Sequence, residues 1–325
     1  MKNIRKNTLL ISLIIGFGIA NAIECEHVKI PRGDIYLAAD IYLPAHFNKE
    51  EKYPAIVVSH PGGGVKEQVS GLYAKDLAEK GFVTVAFDTA YQGKSGGEIR
   101  GIDSPFIRAE DIGYVVDYLD RLPYIKDNEI GALGICAGGG ATVYEASIDH
   151  RIKAAATVSL FDVGEANRDG KTPEQINEIL RQVAMQKEKE ARGDSVLYVH
   201  IIPDTKEEIP ADAPVFLKEA VDYYRTPRAY YPTATNRSTF TSTADAIRFY
   251  PFENLYLMDR PLLIISGDKS DTLKYSEAAY EADKGPKELY LIKGATHVDM
   301  YDKEPYVSEA VNKLSEFFHL NLQDK

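Results

Sequence analysis

The chain has 325 residues, 44% of them hydrophobic and 27% charged, enough for one large domain with a sizeable core or two small ones. Its formal charge of −11, from 49 acidic and 38 basic residues, repels phosphate backbones and argues against nucleic acid as a partner. Two cysteines cannot build a disulfide framework, and no pair of histidines stands at ligand spacing beside a carboxylate, so no metal centre is expected.

At the start of the chain, Lys2, Arg5 and Lys6 precede a mostly apolar stretch from Thr8 to Ala20, closed by Ala20-Asn21-Ala22. This is the pattern of a secretory signal over residues 1–22 with its small-residue cleavage site. The stretch is shorter than the roughly 20 residues that span a bilayer, and Glu24 stands where lipid attachment at Cys25 would need a small residue. The expectation is a secreted or periplasmic protein with no stable membrane insertion after cleavage. Its charge would then be −14, since three cations and no acid are removed. Two free thiols are expected, Cys25 near the mature N terminus and Cys136 shielded in a glycine setting.

Next, "EHVKIPRGDIYLAADIYLPA" alternates apolar and polar residues about Pro31-Arg32-Gly33-Asp34, which predicts a β-hairpin and makes the Arg-Gly-Asp triplet a turn. From residue 53 the pattern becomes short apolar runs at 53–59, 82–88, 129–135, 152–160, 261–267 and 288–294, with the β-branched content of strands buried on both faces. Helices are predicted near 66–80, 106–121, 137–148, 273–283 and 305–319. Such alternation predicts an α/β fold with a mostly parallel sheet flanked by helices. The domain runs over 23–325 and carries an insertion at about 161–260. There, Thr172-Pro173-Glu174-Gln175 reads as a capping box leading a helix that stops at Gly193. The Tyr-, Pro- and Thr-rich remainder of the insertion is expected to form a lid, the alternative being helices that decorate the surface. "GKS" at 93–95 is no phosphate loop, because Asp88 stands where its first glycine belongs, and Asn236-Arg237-Ser238 is a glycosylation sequon in form only.

Residues 131–140 read "GALGICAGGG". Gly134-Ile135-Cys136-Ala137-Gly138 has the G-x-nucleophile-x-G form at a predicted strand-to-helix junction. Small residues two positions either side let strand and helix pass closely, and a helix N terminus favours thiolate, the attacking species. A small buried hydrophobe is the plain alternative for Cys136. The loop "SHPGGG" (59–64) ends an earlier strand where backbone N–H groups would hold an oxyanion, from Gly62 or Gly63 on this loop and from Ala137 after the nucleophile. His297, in "GATHVDMYD", is the candidate base, because it follows the last predicted strand in a loop of small residues. His27, His46, His150, His200 and His319 are read as surface residues. His60, within the oxyanion loop, is expected to be structural or to touch substrate. In "ISGDKSDT", Asp271 is favoured as the acid that orients His297, with Asp268 as the alternative. Tyr91 on the 88–97 loop and Tyr223 and Tyr224 in the insertion are candidate substrate contacts. The chain order of nucleophile, acid and histidine is that of the α/β-hydrolases.

With "HPGGGVKEQ", "GICAGGG", "DVGEANRDG", "YYRTPR" and "GATHVDMYD", the chain resembles the α/β-hydrolase superfamily, and within it the dienelactone-hydrolase-like branch with a cysteine nucleophile. The resemblance implies a parallel-sheet hydrolase fold and a triad of Cys136, Asp271 and His297, with no cofactor. Dienelactone hydrolases are smaller and lack so long an insertion, which separates this chain from their substrate. The expected activity is hydrolysis of a small-molecule ester, lactone or thioester through an acyl-enzyme. Two alternatives are a hydrolase scaffold retained only for binding and a class I amidotransferase-like enzyme using His297-Val298-Asp299. Whether the chain forms a homodimer is left open.

Overall fold

The computed structural model describes residues 23–322, so the signal expected over 1–22 lies outside the described residues. β1 (Glu24–Arg32) and β2 (Ile35–Leu43) form the predicted hairpin, turning at Gly33 with φ +54°. The side chain of Arg32 is tied to Glu110 at 2.6 Å and to Asp111 rather than offered to a partner. β3 (Tyr53–Ser59), α1 (Val69–Ala78), β4 (Val83–Phe87), α2 (Pro105–Leu119), β5 (Ile125–Ile135), α3 (Ala137–Ile148) and β6 (Ile152–Val158) then alternate as the sequence predicts. β5 starts four residues earlier than its apolar run, where pairing with β3 shifts register between Tyr53 and Ala55.

The insertion carries α4 (Val163–Arg168), α5 (Pro173–Ala191), β7 (Tyr198–His200), α6 (Val215–Arg225), β8 (Arg237–Thr239) and α7 (Thr243–Ile247). β9 (Leu262–Gly267), α8 (Leu273–Ala282), β10 (Lys287–Ile292), α9 (Asp299–Asp302) and α10 (Tyr306–Asn321) complete the chain. Eight strands form one sheet in the order β1-β2-β4-β3-β5-β6-β9-β10, parallel except at the β1-β2 and β2-β4 pairings. This is the α/β-hydrolase fold expected from the sequence.

Strand side chains alternate between two apolar layers. Ile56 and Val58 face Tyr73 and Leu77 of α1 and Leu314 and Phe318 of α10, while Ala55 and Val57 face Ile112 and Val116 of α2 and Val143 of α3. Both faces are therefore dry. The catalytic possibilities are confined to the loops at the carboxyl ends of the strands.

The insertion divides in two. α5 shows the predicted capping box, in which Thr172 and Gln175 bond each other's backbone, yet it buries only Val183 and Gln186 and stays a surface helix. α6 sinks Ala220, Val221, Tyr223 and Tyr224 into the layer shared with α1 and α10. β7 pairs antiparallel with β8 as a small separate ribbon. Asn236, the residue of the sequon, is fully buried and donates through Nδ2 to the Gly63 carbonyl at 2.9 Å, so it offers no acceptor amide in the folded state. Asp88, which broke the phosphate-loop pattern, accepts the backbone N–H groups of Lys66 and Lys94, each at 2.8 Å, and folds the 88–97 loop around itself.

Candidate active site

Cys136 sits between β5 and α3 with φ +55° and ψ −122°, a left-handed conformation that non-glycine residues rarely adopt. The flanking glycines follow from this geometry. A Cβ on Gly134 would lie 2.3 Å from the Gly138 carbonyl oxygen, and one on Gly138 would lie 2.5 Å from the Ser59 carbonyl oxygen. The Tyr301 hydroxyl favours the anion of the sulfur most, followed by the backbone N–H groups of Ala137 and Gly62, which are aimed at it, and by the Arg108 charge. Burial outweighs them, so the thiol is pushed above its ordinary range. This differs from the expectation of a helix-activated thiolate, because Cys136 is only 5% exposed. The resting group is a thiol.

Of the oxyanion donors expected, Gly62 and Ala137 are in place and Gly63 is not. Gly63 turns away with φ +70° and faces Asn236 of the insertion. His60 lies beneath the loop, fully buried, and its ring is held on both sides. Nε2 accepts the Thr89 N–H at 3.2 Å, which leaves Nδ1 to donate to the Pro61 carbonyl at 2.7 Å. It is a structural residue and does not line the cavity. Arg108, another buried residue that sequence reasoning missed, donates to the His60 carbonyl at 2.9 Å and to Asp103 at 2.8 Å. Together they hold the oxyanion loop from below.

His297 is fully buried beside Phe216, with ring centroids 4.5 Å apart. Its carbonyl accepts from Ser159 Oγ at 3.0 Å. The acid expected to orient it is not there. Asp271 is exposed, and its Oδ2 accepts the Phe216 N–H at 2.9 Å; Asp268 accepts the Gly294 N–H at 2.6 Å. The residue that meets His297 Nδ1 is Thr272, at 2.5 Å, and Thr272 Oγ1 is 2.9 Å from Ser270 Oγ. The side chain at the height of the imidazole is thus one position beyond Asp271. Asp299 is likewise turned away, toward the Thr296 N–H and the Lys303 ammonium, which removes the geometry of the amidotransferase alternative. On the other ring nitrogen, Nε2 stands 3.1 Å from the hydroxyl of Tyr301, a residue the sequence reading passed over although it falls four positions after His297.

Burial alone lowers the His297 pKa to about 3, and burial followed by the Arg108 charge does the same for His60. Both rings are neutral at physiological pH. The unfolded chain takes up their protons near the ordinary value of about 6.5, so each contributes stability that is full above that pH and is lost as pH falls toward 3. NMR should show ring-proton shifts of His60 and His297 that stay flat from about pH 8 to 5. A midpoint near 6 for His297 would contradict this environment.

A cavity of about 300 Å³ opens in front of Cys136. Gly62, Cys136 and Tyr301 form its floor, and Phe161, Ile201, Phe216 and Ala246 give it largely apolar walls. Tyr224 lines it, and its buried hydroxyl has no partner of regular hydrogen-bond geometry. Two other expected contacts are elsewhere. Tyr91 lines a neighbouring cavity with Gly63 and Arg100, and Tyr223 packs edge-on against Tyr224 and Tyr301, at 4.9 and 5.1 Å, as support. His200, read as a surface residue, lines the mouth of the cavity near Cys136.

Away from this site, the pleat of the β1-β2 hairpin brings Cys25, His27 and Asp40 together, with one potential ligand atom from each within 4.8 Å of the others. Histidine spacing in the sequence gives no sign of this group, because only one histidine takes part in it. Lys66 Nζ already lies 2.7 Å from Asp40 Oδ2, so an ammonium fills the cationic place there. Cys25 is exposed and Cys136 buried, both as free thiols.

Comparison with known proteins agrees with the fold. The family model described as "X-Pro dipeptidyl-peptidase (S15 family)" matches residues 33–298. Protein YcjY of Escherichia coli K12 is 41% identical over 296 residues, covering 89% of this chain and 95% of its own. The crystal structure of PA2218 from Pseudomonas aeruginosa superposes with a TM-score of 0.85 at 34% identity, over 97% of this chain and 100% of that one. A protein of Aspergillus aculeatus named thiohydrolase aneE is 24% identical over 255 residues, 76% of this chain and 80% of its own.

Proposed function

Because the chain belongs to the hydrolase family described as X-Pro dipeptidyl-peptidase (S15 family), we propose that it cleaves an acyl ester, lactone or thioester through an acyl-enzyme on Cys136. The observation that carries this reading is the sulfur itself, held on a left-handed elbow, with two backbone N–H groups aimed at it and a cavity in front. Residues 1–22, read as a signal, would have this chemistry act outside the cytoplasm, and among the described residues no helix is long and apolar enough to cross a membrane.

The family designation implies a serine nucleophile, and this chain has cysteine at the elbow. That exchange favours a thioester as substrate. Moving an acyl group from one sulfur to another is nearly balanced in energy, whereas moving it from an alcohol oxygen to sulfur runs uphill. The name thiohydrolase borne by the Aspergillus relative points the same way. The attacked carbonyl oxygen takes up negative charge between the Gly62 and Ala137 N–H groups, His297 is the base, and water then releases the acyl group. The largely apolar walls suit an aliphatic or aromatic acyl portion.

The test is acylation of the mature chain by p-nitrophenyl esters, acyl thioesters and an X-Pro dipeptide nitroanilide, followed by intact and peptide mass. The expected result is an acyl adduct on the peptide containing Cys136, formed faster from thioester than from ester and released on standing. An adduct that forms and never leaves would support the scaffold retained for binding. Cleavage of the nitroanilide with no adduct at Cys136 would overturn the proposal.

A further inference from the structure

The base and the nucleophile of this site do not touch. Among the described residues no hydrogen bond joins His297 to the Cys136 sulfur, and the neutralised imidazole feels burial and no charge partner. What stands between them is the Tyr301 hydroxyl, 3.1 Å from His297 Nε2 and within reach of the sulfur, though short of regular hydrogen-bond geometry. We propose that Tyr301 is the proton carrier of the site, relaying the thiol proton of Cys136 to His297 during attack. The proposal rests on the reading of Cys136 as nucleophile.

The relay requires the tautomer in which His297 Nδ1 donates to Thr272 Oγ1, 2.5 Å away, so that Nε2 accepts the Tyr301 O–H. Its oxygen is then left as acceptor for the thiol. Thr272 in turn stands 2.9 Å from Ser270 Oγ, which lets it pass a hydrogen bond onward and hold the tautomer. The phenol is 1% exposed, wedged edge-on against Tyr223 and His297 with centroids 5.1 and 5.6 Å away, so it cannot swing between solvent and the site. Burial, then the neighbouring Cys136 and Tyr224, hold its pKa well above the ordinary tyrosine value. A phenolate is therefore never a resting species, and the proton must pass through in a single concerted shift.

The step balances. The sulfur pair that held the thiol proton forms the S–C bond, that proton goes to Tyr301 Oη, and the phenolic proton goes to His297 Nε2. The carbonyl π pair moves onto the oxygen between the Gly62 and Ala137 N–H groups. What results is a tetrahedral oxyanion and an imidazolium, with the phenol chemically unchanged. Collapse runs the chain backward and delivers the proton to the departing oxygen or sulfur.

Tyr301→Phe keeps the ring and removes only the hydroxyl. We expect kcat/KM to fall about 10²–10³-fold, the solvent proton inventory to change from bowed to straight, and the pH of half-maximal alkylation of Cys136 by iodoacetamide to rise. The rate assay on Cys136→Ala separates the two readings. If Cys136→Ala turns over at the wild-type rate, the nucleophile assignment fails. If Cys136→Ala is inactive but Tyr301→Phe stays within ~3-fold of wild type, the relay alone fails. A slower Tyr301→Phe enzyme with unchanged inventory and alkylation pH would also overturn the relay, since it would mark the hydroxyl as merely structural.

Discussion

Cys136→Ala should lower kcat/KM for the acyl substrate by at least ~10⁴-fold with no loss of fold. Alanine tolerates φ +55° no worse than cysteine does. Cys136→Ser should also fall, by roughly 10²–10³-fold, because a hydroxyl is a far weaker acid than a thiol and His297 has no carboxylate to raise its basicity. The comparison that locates the support of the base is Thr272→Val against Asp271→Asn. Thr272 touches the imidazole, whereas Asp271 secures the N-terminal turn of α6 through the Phe216 N–H, so Asp271→Asn should stay within ~10-fold of wild type and Thr272→Val should cost more. Circular dichroism and steady-state rates decide this. A drop of about 10³-fold in Asp271→Asn would show that the carboxylate swings onto His297 during turnover.

The sequence was informative wherever a property repeats along the chain. Strand 53–59 and helix 137–148 fall on their predicted residues because an apolar run buried on both faces, or a glycine-alanine start to a helix, is a pattern with local cause. The elbow was legible for the same reason, since only small residues fit at Gly134 and Gly138. The loop after β9 was not. Within Asp268 to Thr272 a rotation of one position decides which side chain reaches the imidazole, and that rotation depends on how Gly267 packs on Ala295, some thirty residues away. Chemistry favoured an acid there, and the packing put a threonine. Tyr301 was missed because a tyrosine four residues past a histidine usually reads as core, and it becomes a site residue only once α6 brings Tyr223 to brace it. Gly63 shows the same limit. The glycine run promised an oxyanion loop, but the insertion determined that Gly63 would face Asn236 and leave Gly62 at the sulfur.

Arg108→Met should destabilise the protein by about 3–5 kcal/mol and slow it as well, and the double replacement with Asp103→Leu should separate those effects. Arg108 is 2% exposed, and its guanidinium meets the Asp103 carboxylate and the His60 carbonyl. Burial would raise the Asp103 carboxyl, but the Arg108 charge and hydrogen bond prevail and hold it below the usual carboxylate range. Removing the cation strands that charge and the His60 carbonyl together. Replacing both partners with apolar side chains removes the stranded charge, so urea unfolding should recover most of the loss. Activity should not recover with it, because the loop that presents the Gly62 N–H still lacks its anchor and the thiol loses a charge that favours its anion. A double variant that regained full kcat/KM would show that Arg108 serves the fold alone, and that the oxyanion loop keeps its geometry through His60, Pro61 and Thr89 without it.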